Sequence, residues 1–265
     1  MKAIPSLVLL CCLGVNSCTG SDQWISLFDG QSLEGWKASE HSDSWKLEDG
    51  KLVTAGERSH LFYAGDALGD GFKNFEFSVD VLTTPGSNSG IYIHTAYQDE
   101  GWPTKGYECQ VINSNAAADP GAYVEHKMTG SIYAIRNVWK SPVPDKEWFN
   151  YRIRVQGKTI QTFINDMLAA EYTEPEDIYR SEGMEGRVLE SGTFAFQCHD
   201  PESVVYYKNI KVKVLPDDLP TPGIPPQDLE FEKQLIDLAA KNFPLIDLHT
   251  HLKGGITEEE ALAHA

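Results

Sequence analysis

What most constrains this chain is a two-residue period that recurs in short runs from Trp24 to about residue 215, each run closed by Gly, Pro, Asn or Asp. In Phe75-Glu76-Phe77-Ser78-Val79-Asp80-Val81 the aromatic and branched residues fall on one face and Glu76, Ser78 and Asp80 on the other. Residues 45–47 and 51–53 flank Glu48-Asp49-Gly50, the signature of a hairpin. Residues 151–155 and 159–164 form a second hairpin around Gln156-Gly157-Lys158, and Asn165-Asp166 turns the chain into 168–172. Residues 209–214 alternate lysines with apolar residues, the pattern of a guarded edge strand. About a dozen such strands, with few helical patterns between them, predict an all-β fold: a two-sheet antiparallel jelly-roll sandwich.

Three of the runs share a chemical feature. In Gly106-Tyr107-Glu108-Cys109-Gln110-Val111-Ile112-Asn113, burial of Tyr107, Cys109 and Val111 turns Glu108 and Gln110 to the opposite face. Ile91-Tyr92-Ile93-His94 turns out Tyr92 and His94 in the same way, and Phe194-Ala195-Phe196-Gln197-Cys198-His199 turns out Gln197 and His199. If these strands share a sheet, Glu108, Gln110, His94, Gln197 and His199 line one polar surface. An ordinary antiparallel sheet with one solvated face fits the same alternation. Such faces are usually rich in Lys, Thr and Glu, however, and two Gln, two His and one Glu are a more pointed set.

The net charge of −17 and the lack of a basic stripe argue against a nucleic-acid partner. Acidity is compatible with a neutral sugar or with a bound cation. Residues 1–17 have a positive start at Lys2 and an apolar run over 7–15, too short to span a bilayer, and read as a secretory signal. Val15-Asn16-Ser17-Cys18 resembles a bacterial lipobox, which makes Cys18 the lipidated residue, 18–23 a tether and the lipid the only link to a membrane. Ordinary cleavage that leaves Cys18 as a free thiol is the alternative. Cys109 and Cys198 then remain in the domain; an exported compartment permits a disulfide, but both occupy core-facing positions and read more simply as buried thiols. Two long loops, 113–129 with Glu125 and 174–190 with Arg180 and Arg187, are either binding-site walls or passive insertions.

Beyond residue 215 the character changes. Five prolines within 216–226 predict an extended linker, and 228–242 an amphipathic helix. An apolar strand then ends in His249-Thr250-His251, an imidazole pair at metal-ligand spacing. It resembles the first barrel strand of adenosine-deaminase-like amidohydrolases, and with fourteen residues following His251, segment 227–265 is read as an incomplete start of that fold.

Several stretches occur together in a telling order: Leu27-Phe28-Asp29-Gly30 with Gly35-Trp36, Asn88-Ser89-Gly90-Ile91-Tyr92, Gly106-Tyr107-Glu108-Cys109-Gln110 and Gly130-Ser131-Ile132-Tyr133. Trp148-Phe149-Asn150, Phe196-Gln197-Cys198-His199 and Lys208-Asn209-Ile210 complete the series. Over 24–215 the chain resembles the 3-keto-disaccharide hydrolase domain, a family common in exported bacterial proteins. The resemblance implies a concanavalin-like jelly roll and a carbohydrate substrate already oxidised to a ketone at C3. It makes Glu108 a base or metal ligand and His199 an acid/base or metal ligand. Asn88, Tyr92, His94, Gln110 and Gln197 become hydrogen-bonding partners of the sugar, and Trp102 or Trp139 a stacking platform. A divalent cation would suit as stabiliser of an enolate. The sequence departs from the family's pattern at Asn113, where Asp is usual, at His94, near which Arg is frequent, and at Phe149, which interrupts a Trp-Asn pair. A non-catalytic carbohydrate-binding module, accessory to a truncated metal-dependent amidohydrolase, is the rival reading.

Overall fold

A computed structural model of the protein describes residues 23–115 and 124–223. The signal segment, Cys18 and its tether as far as residue 22, the helix expected over 228–242, and His249 and His251 lie outside the described residues.

The chain turns where its sequence relaxes the backbone. Asp49-Gly50 and Asn165-Asp166 all have positive φ, the conformation that matches a tight hairpin to the twist of its strands. Among the described residues thirteen strands run between such turns. In chain order they are β1 Ile25–Ser26, β2 Trp36–Ala38, β3 Trp45–Glu48, β4 Lys51–Thr54, β5 Ser59–Tyr63, β6 Phe75–Thr83 and β7 Ser89–Thr95. After these come β8 Tyr107–Val111, β9 Phe149–Gln156, β10 Thr159–Ile164, β11 Met167–Thr173, β12 Thr193–Cys198 and β13 Val205–Val214. They build an eight-stranded sheet in the order β11-β10-β9-β6-β13-β4-β3, with β1 on β13, and a five-stranded sheet in the order β2-β5-β12-β7-β8. The fold is the expected all-β two-sheet sandwich, jelly-roll-like.

The two inner faces meet through aromatic rings. Phe77 packs on Phe194 with centroids 4.6 Å apart, and Phe196 on Tyr207 at 4.4 Å. Trp36 stacks on Phe196 at 5.4 Å while its Nε1 donates to Leu27 O at 2.7 Å, so the buried indole keeps its hydrogen bond. Tyr207 OH and Ser89 Oγ share a hydrogen bond of 2.7 Å from sheet to sheet. Cys109 and Cys198 are free thiols, both buried, and burial pushes the Cys198 thiol up to about 11.

Two sequence expectations change. Residues 209–214 are no edge: β13 pairs with β6 along its length, with β4 over 205–207 and with β1 over 211–212. The alternating lysines mark an outer face. A strand inside one sheet of a sandwich still has one solvent-facing side, and there Lys208 lies over Trp148 at 4.0 Å and Lys211 over Trp24 at 4.9 Å. The proline-rich stretch is neither extended nor free through Thr221: it turns at Asp217-Asp218, where Leu219 N donates to Pro216 O at 3.3 Å. Asn74 Nδ2 donates to Pro216 O at 2.8 Å, Gln156 Nε2 to Pro220 O at 2.8 Å, and Lys158 N to Thr221 Oγ1 at 3.0 Å.

Because Phe196 packs on Trp36 of its own sheet and on Phe77 and Tyr207 of the opposite one, Phe196→Ala is expected to destabilise the fold by about 3–5 kcal/mol. Urea unfolding followed by tryptophan fluorescence measures it. A loss below about 1 kcal/mol would mean that this junction is not central to the core.

Candidate active site

The outer face of the five-stranded sheet is polar and nonetheless buried. Its residues lie in two rows set by register. Phe62, Ala195, Tyr92 and Glu108 are successive cross-strand partners on β5, β12, β7 and β8. One step along, His60 pairs with Gln197 and Gly90 with Gln110. Phe62, Tyr92 and Ala195 form a small apolar cluster of their own, separate from the sandwich core. That patch gives Glu108 a poorly hydrated neighbourhood. Gly90 makes room for the acid: a Cβ there would lie 2.6 Å from Glu108 Oε1.

Loops wall this face into a cleft of about 440 Å³. The sheet contributes Tyr92, Glu108, Gln110 and Gln197, and the connections contribute Asn88, Trp102, Glu125, Tyr133, Arg187 and His199. Of the residues named from sequence, the structure therefore brings together both proposed catalytic residues and Asn88, Tyr92, Gln110, Gln197 and Trp102.

Glu108 is 6% exposed. Its Oε1 accepts from Gln197 Nε2 at 2.8 Å, and its Oε2 lies 3.8 Å from an Arg187 guanidinium nitrogen. Burial raises its pKa above the usual carboxylate value, against the opposing pull of Arg187. The result is a carboxylate made more basic while a cation stays close. Arg187 also donates to Gly106 O at 3.2 Å and lies 5.4 Å above the Tyr92 ring.

His199 follows the last residue of β12. Its Nδ1 is 2.6 Å from Asp200 Oδ2, and that contact holds the Asp200 carboxyl below its ordinary pKa. Pairing with a carboxylate fixes the proton on Nδ1 and leaves Nε2 as the reactive atom of the ring. Trp102 stands 5.2 Å from His199 and 5.6 Å from His60. Its loop is tied by Gln98, which donates to Trp102 O at 2.9 Å and accepts from Thr104 N at 3.0 Å. On the other flank Gln110 Nε2 donates to Asn88 Oδ1 at 2.9 Å. Both glutamines thus spend their amide groups on neighbours, and their buried Oε1 atoms have no partner among the described residues.

The loop that brings in Arg187 hangs on the back of the same strand. Tyr107, core-facing beside Glu108, donates to Glu174 Oε2 at 2.5 Å and accepts from Arg180 at 2.6 Å. Arg180 also donates to Tyr172 OH at 2.9 Å and to Arg187 O at 2.7 Å. Opposite, Glu125 Oε1 accepts from Lys127 N and Nζ at 2.8 and 2.9 Å, and Tyr133 OH lies 3.3 Å from Oε2. Arg187, Glu125 and Tyr133 were missing from the site read in the sequence. They sit where the chain has no period: the length of their loops was the signal for Glu125 and Arg187, and the Gly130-Ser131-Ile132-Tyr133 stretch the signal for Tyr133.

Two expected ligand contacts fall elsewhere. His94 does not line the cleft: its φ of 53° breaks the extended alternation and turns the ring away from Tyr92. Its Nε2 is 2.9 Å from Lys73 O, its ring meets Phe75 edge-on at 5.6 Å, and burial lowers its pKa to about 4. Gly106 and Gly192 let two backbones pack on this bend; a Cβ on either would come within 2.7 Å of the His94 carbonyl carbon. Trp139 is 70% exposed and outside the cleft. Asn113 is structural, donating to Thr83 Oγ1 at 2.8 Å and to Pro144 O at 3.0 Å. Phe149 is a core residue that leaves Asn150 on the outer face of the larger sheet. As for a divalent cation, among the described residues no three His, Cys, Asp or Glu side chains gather as a ligand cluster, and the second oxygen of Glu108 faces a guanidinium. The donor set does not fit a protein-held metal.

Comparison with known proteins adds the following. A family model described as a 3-keto-alpha-glucoside-1,2-lyase-like domain matches residues 23–213. The 3-keto-disaccharide hydrolase of Bacteroides thetaiotaomicron is 25% identical over 232 residues, covering 74% of this chain and 79% of that protein. A candidate glycosyl hydrolase from Parabacteroides distasonis ATCC 8503 has a fold similar to this one, with a TM-score of 0.61 at 23% identity over 73% of this chain and 94% of its own. A second from the same organism gives a TM-score of 0.53 at 20% identity over 73% and 100%. At these identities the two structures speak for the fold alone.

Two outcomes test the site's construction. Gly90→Ala is expected to leave the fold intact by circular dichroism and to displace the Glu108 carboxyl; an unchanged crystallographic position of that carboxyl would contradict the packing. His60 and His94 are held neutral, with pKa values lowered from 6.5 to about 3 and about 4. Since the unfolded chain binds these protons first, stability is expected to fall as pH drops below 6.5 towards 4. A His94→Gln variant should show a flatter decline in its urea midpoint over that window, and an identical slope would overturn the assignment.

Proposed function

The chain belongs to the 3-keto-alpha-glucoside-1,2-lyase-like domain family, and from that premise we propose that it cleaves the glycosidic bond of a disaccharide or other glycoside already oxidised at C3. The observation that carries the reading is one cleft bordered by a buried, proton-seeking carboxylate, an arginine beside it and an imidazole backed by Asp200. The 3-keto-disaccharide hydrolase named among the relatives supports the substrate class.

A ketone at C3 makes the C2 proton acidic and leaves the C1 substituent in the β position. Glu108 takes the C2 proton, and the C–H electron pair becomes the C2–C3 double bond of an enolate with its charge on O3. Arg187 is the cation available to that oxyanion, in a cleft where low hydration strengthens the interaction. As the enolate collapses, its electrons form a C1–C2 double bond and break the bond to the aglycone oxygen. Nε2 of His199, whose ring is oriented by the Asp200 carboxylate at Nδ1, supplies the proton to that oxygen. Water then adds across the double bond, with its oxygen going to C1 and a proton to C2, so that the sum is hydrolysis. Gln110 and Gln197 line the cleft as hydrogen-bonding partners for sugar hydroxyls, and Trp102 flanks the ring. The lipobox-like Val15-Asn16-Ser17-Cys18 supports a location on the bacterial cell envelope, held by lipid at Cys18 and facing the periplasm or the exterior.

The test is incubation of the protein with disaccharides and their C3-oxidised counterparts, with and without chelator. Only the oxidised set should be cleaved, and Glu108→Gln or His199→Ala should lower kcat by about 10²–10⁴-fold with the fold retained. Equal cleavage of unoxidised sugars, or full activity in both variants, would refute the reading. Tight glycan binding with no turnover of either set would favour the non-catalytic module instead.

A further inference from the structure

The outer face of the eight-stranded sheet has a concavity of about 310 Å³ that no step above uses. It lies on the far side of the sandwich from Glu108. Phe77, Val79 and Tyr151 enter the core, so Ser78, Asp80 and Asn150 on the same strands point outward.

Asp80 is at its centre. Asn150, its cross-strand partner on β9, donates from Nδ2 to Asp80 Oδ1 and to Ser78 Oγ, each at 3.0 Å. From β13, Asn209 Nδ2 donates to Asp80 Oδ2 at 2.6 Å. Asn209 can do so because the β13–β6 register shifts between Lys208 and Lys211 and its φ is 54°. A bulge of this kind re-aims a side chain, here in the middle of a sheet where an unbroken ladder would be the more stable arrangement. Trp24 and Lys211 border the concavity, with Nζ 4.9 Å from the ring centroid, and Ser26 stands at its rim.

The chemistry of this wall is selective. Each asparagine donates one amide hydrogen bond to the Asp80 carboxylate, which sets their Oδ1 atoms and the remaining lone pairs of Asp80 as a group of acceptors beside an indole. Asp80 and Lys211 balance in charge, so the lining favours no free ion of either sign, and an apolar ligand would strip its polar groups of water without replacing the hydrogen bonds. A polyol supplies hydroxyl donors to the acceptors and C–H groups to the ring. The volume lies at the lower end of the roughly 300–1,000 Å³ of ligand cavities, enough for one sugar ring. We propose that the Asp80–Asn150–Asn209 concavity is a second carbohydrate-binding site, which holds one neutral hexose unit of a glycan without cleaving it. The proposal does not rest on the chemistry assigned to the cleft.

The experiment follows the indole N–H signal of Trp24, assigned with a Trp24→Phe variant, by ¹H–¹⁵N NMR in the full chain carrying Glu108→Gln. The probes are the methyl glycosides of glucose, galactose and mannose at millimolar concentration. At least one should shift the Trp24 signal saturably, with affinity reduced roughly tenfold or more by Asp80→Ala. In a chain with Glu108 restored, Asp80→Ala should leave turnover at the cleft unchanged. Ser26→Trp, which plugs the mouth and leaves the Asp80 hydrogen bonds in place, should abolish the shift and decides the matter if Asp80→Ala does not fold. No response of Trp24 to any of the three sugars, or an undiminished response in Ser26→Trp, would overturn the proposal.

Discussion

The site depends on a carboxylate kept out of water beside a cation. Glu108 is almost wholly buried, and its two oxygens have different partners, an uncharged amide from Gln197 and the guanidinium of Arg187. A buried acid without compensation would simply remain protonated; one paired too well would lose its basicity. At 3.8 Å the arginine offsets part of the burial cost and leaves the pKa raised. The remaining features of the cleft serve this balance: the apolar patch of Phe62, Tyr92 and Ala195, the bare backbone at Gly90, and the loop that delivers Arg187.

That loop shows how core and site are coupled. Tyr107 and Glu108 are neighbours on β8 and point to opposite faces of one sheet. Glu108 forms the site, while Tyr107 forms the anchor through Glu174 and Arg180 that holds the 174–190 connection. Two adjacent residues therefore position the carboxylate and, through the other side of the sheet, the arginine that tunes it. A change in the packing of Tyr107 reaches the chemistry without touching any ligand.

The larger sheet uses the same grammar with another result. Its outer positions carry solvent-facing lysines over tryptophans at two places, and between them Asp80 draws two asparagines together at a bulge. The two faces of the sandwich thus have different polar chemistry. One is buried under loops with a charged pair, and the other is open with oxygen acceptors.

Alternation alone determined the fold class, the 45–53 and 151–164 hairpins, the burial of both thiols, and the outward turn of Glu108, Gln110 and Gln197, because side-chain direction in a strand is a local property of extended φ and ψ. The same logic misplaced His94, where one left-handed residue reverses the direction, and the cause is the backbone packed on it by Gly106 and Gly192 from distant parts of the chain. It also took β13 for an edge, since lysine alternation records an exposed face whether or not both ladders are filled. Arg187, Glu125 and Tyr133 reach the cleft from stretches with no period to orient them. Their places were decided by long-range hydrogen bonds, and those depend on which strands become neighbours, which only the folded sandwich specifies.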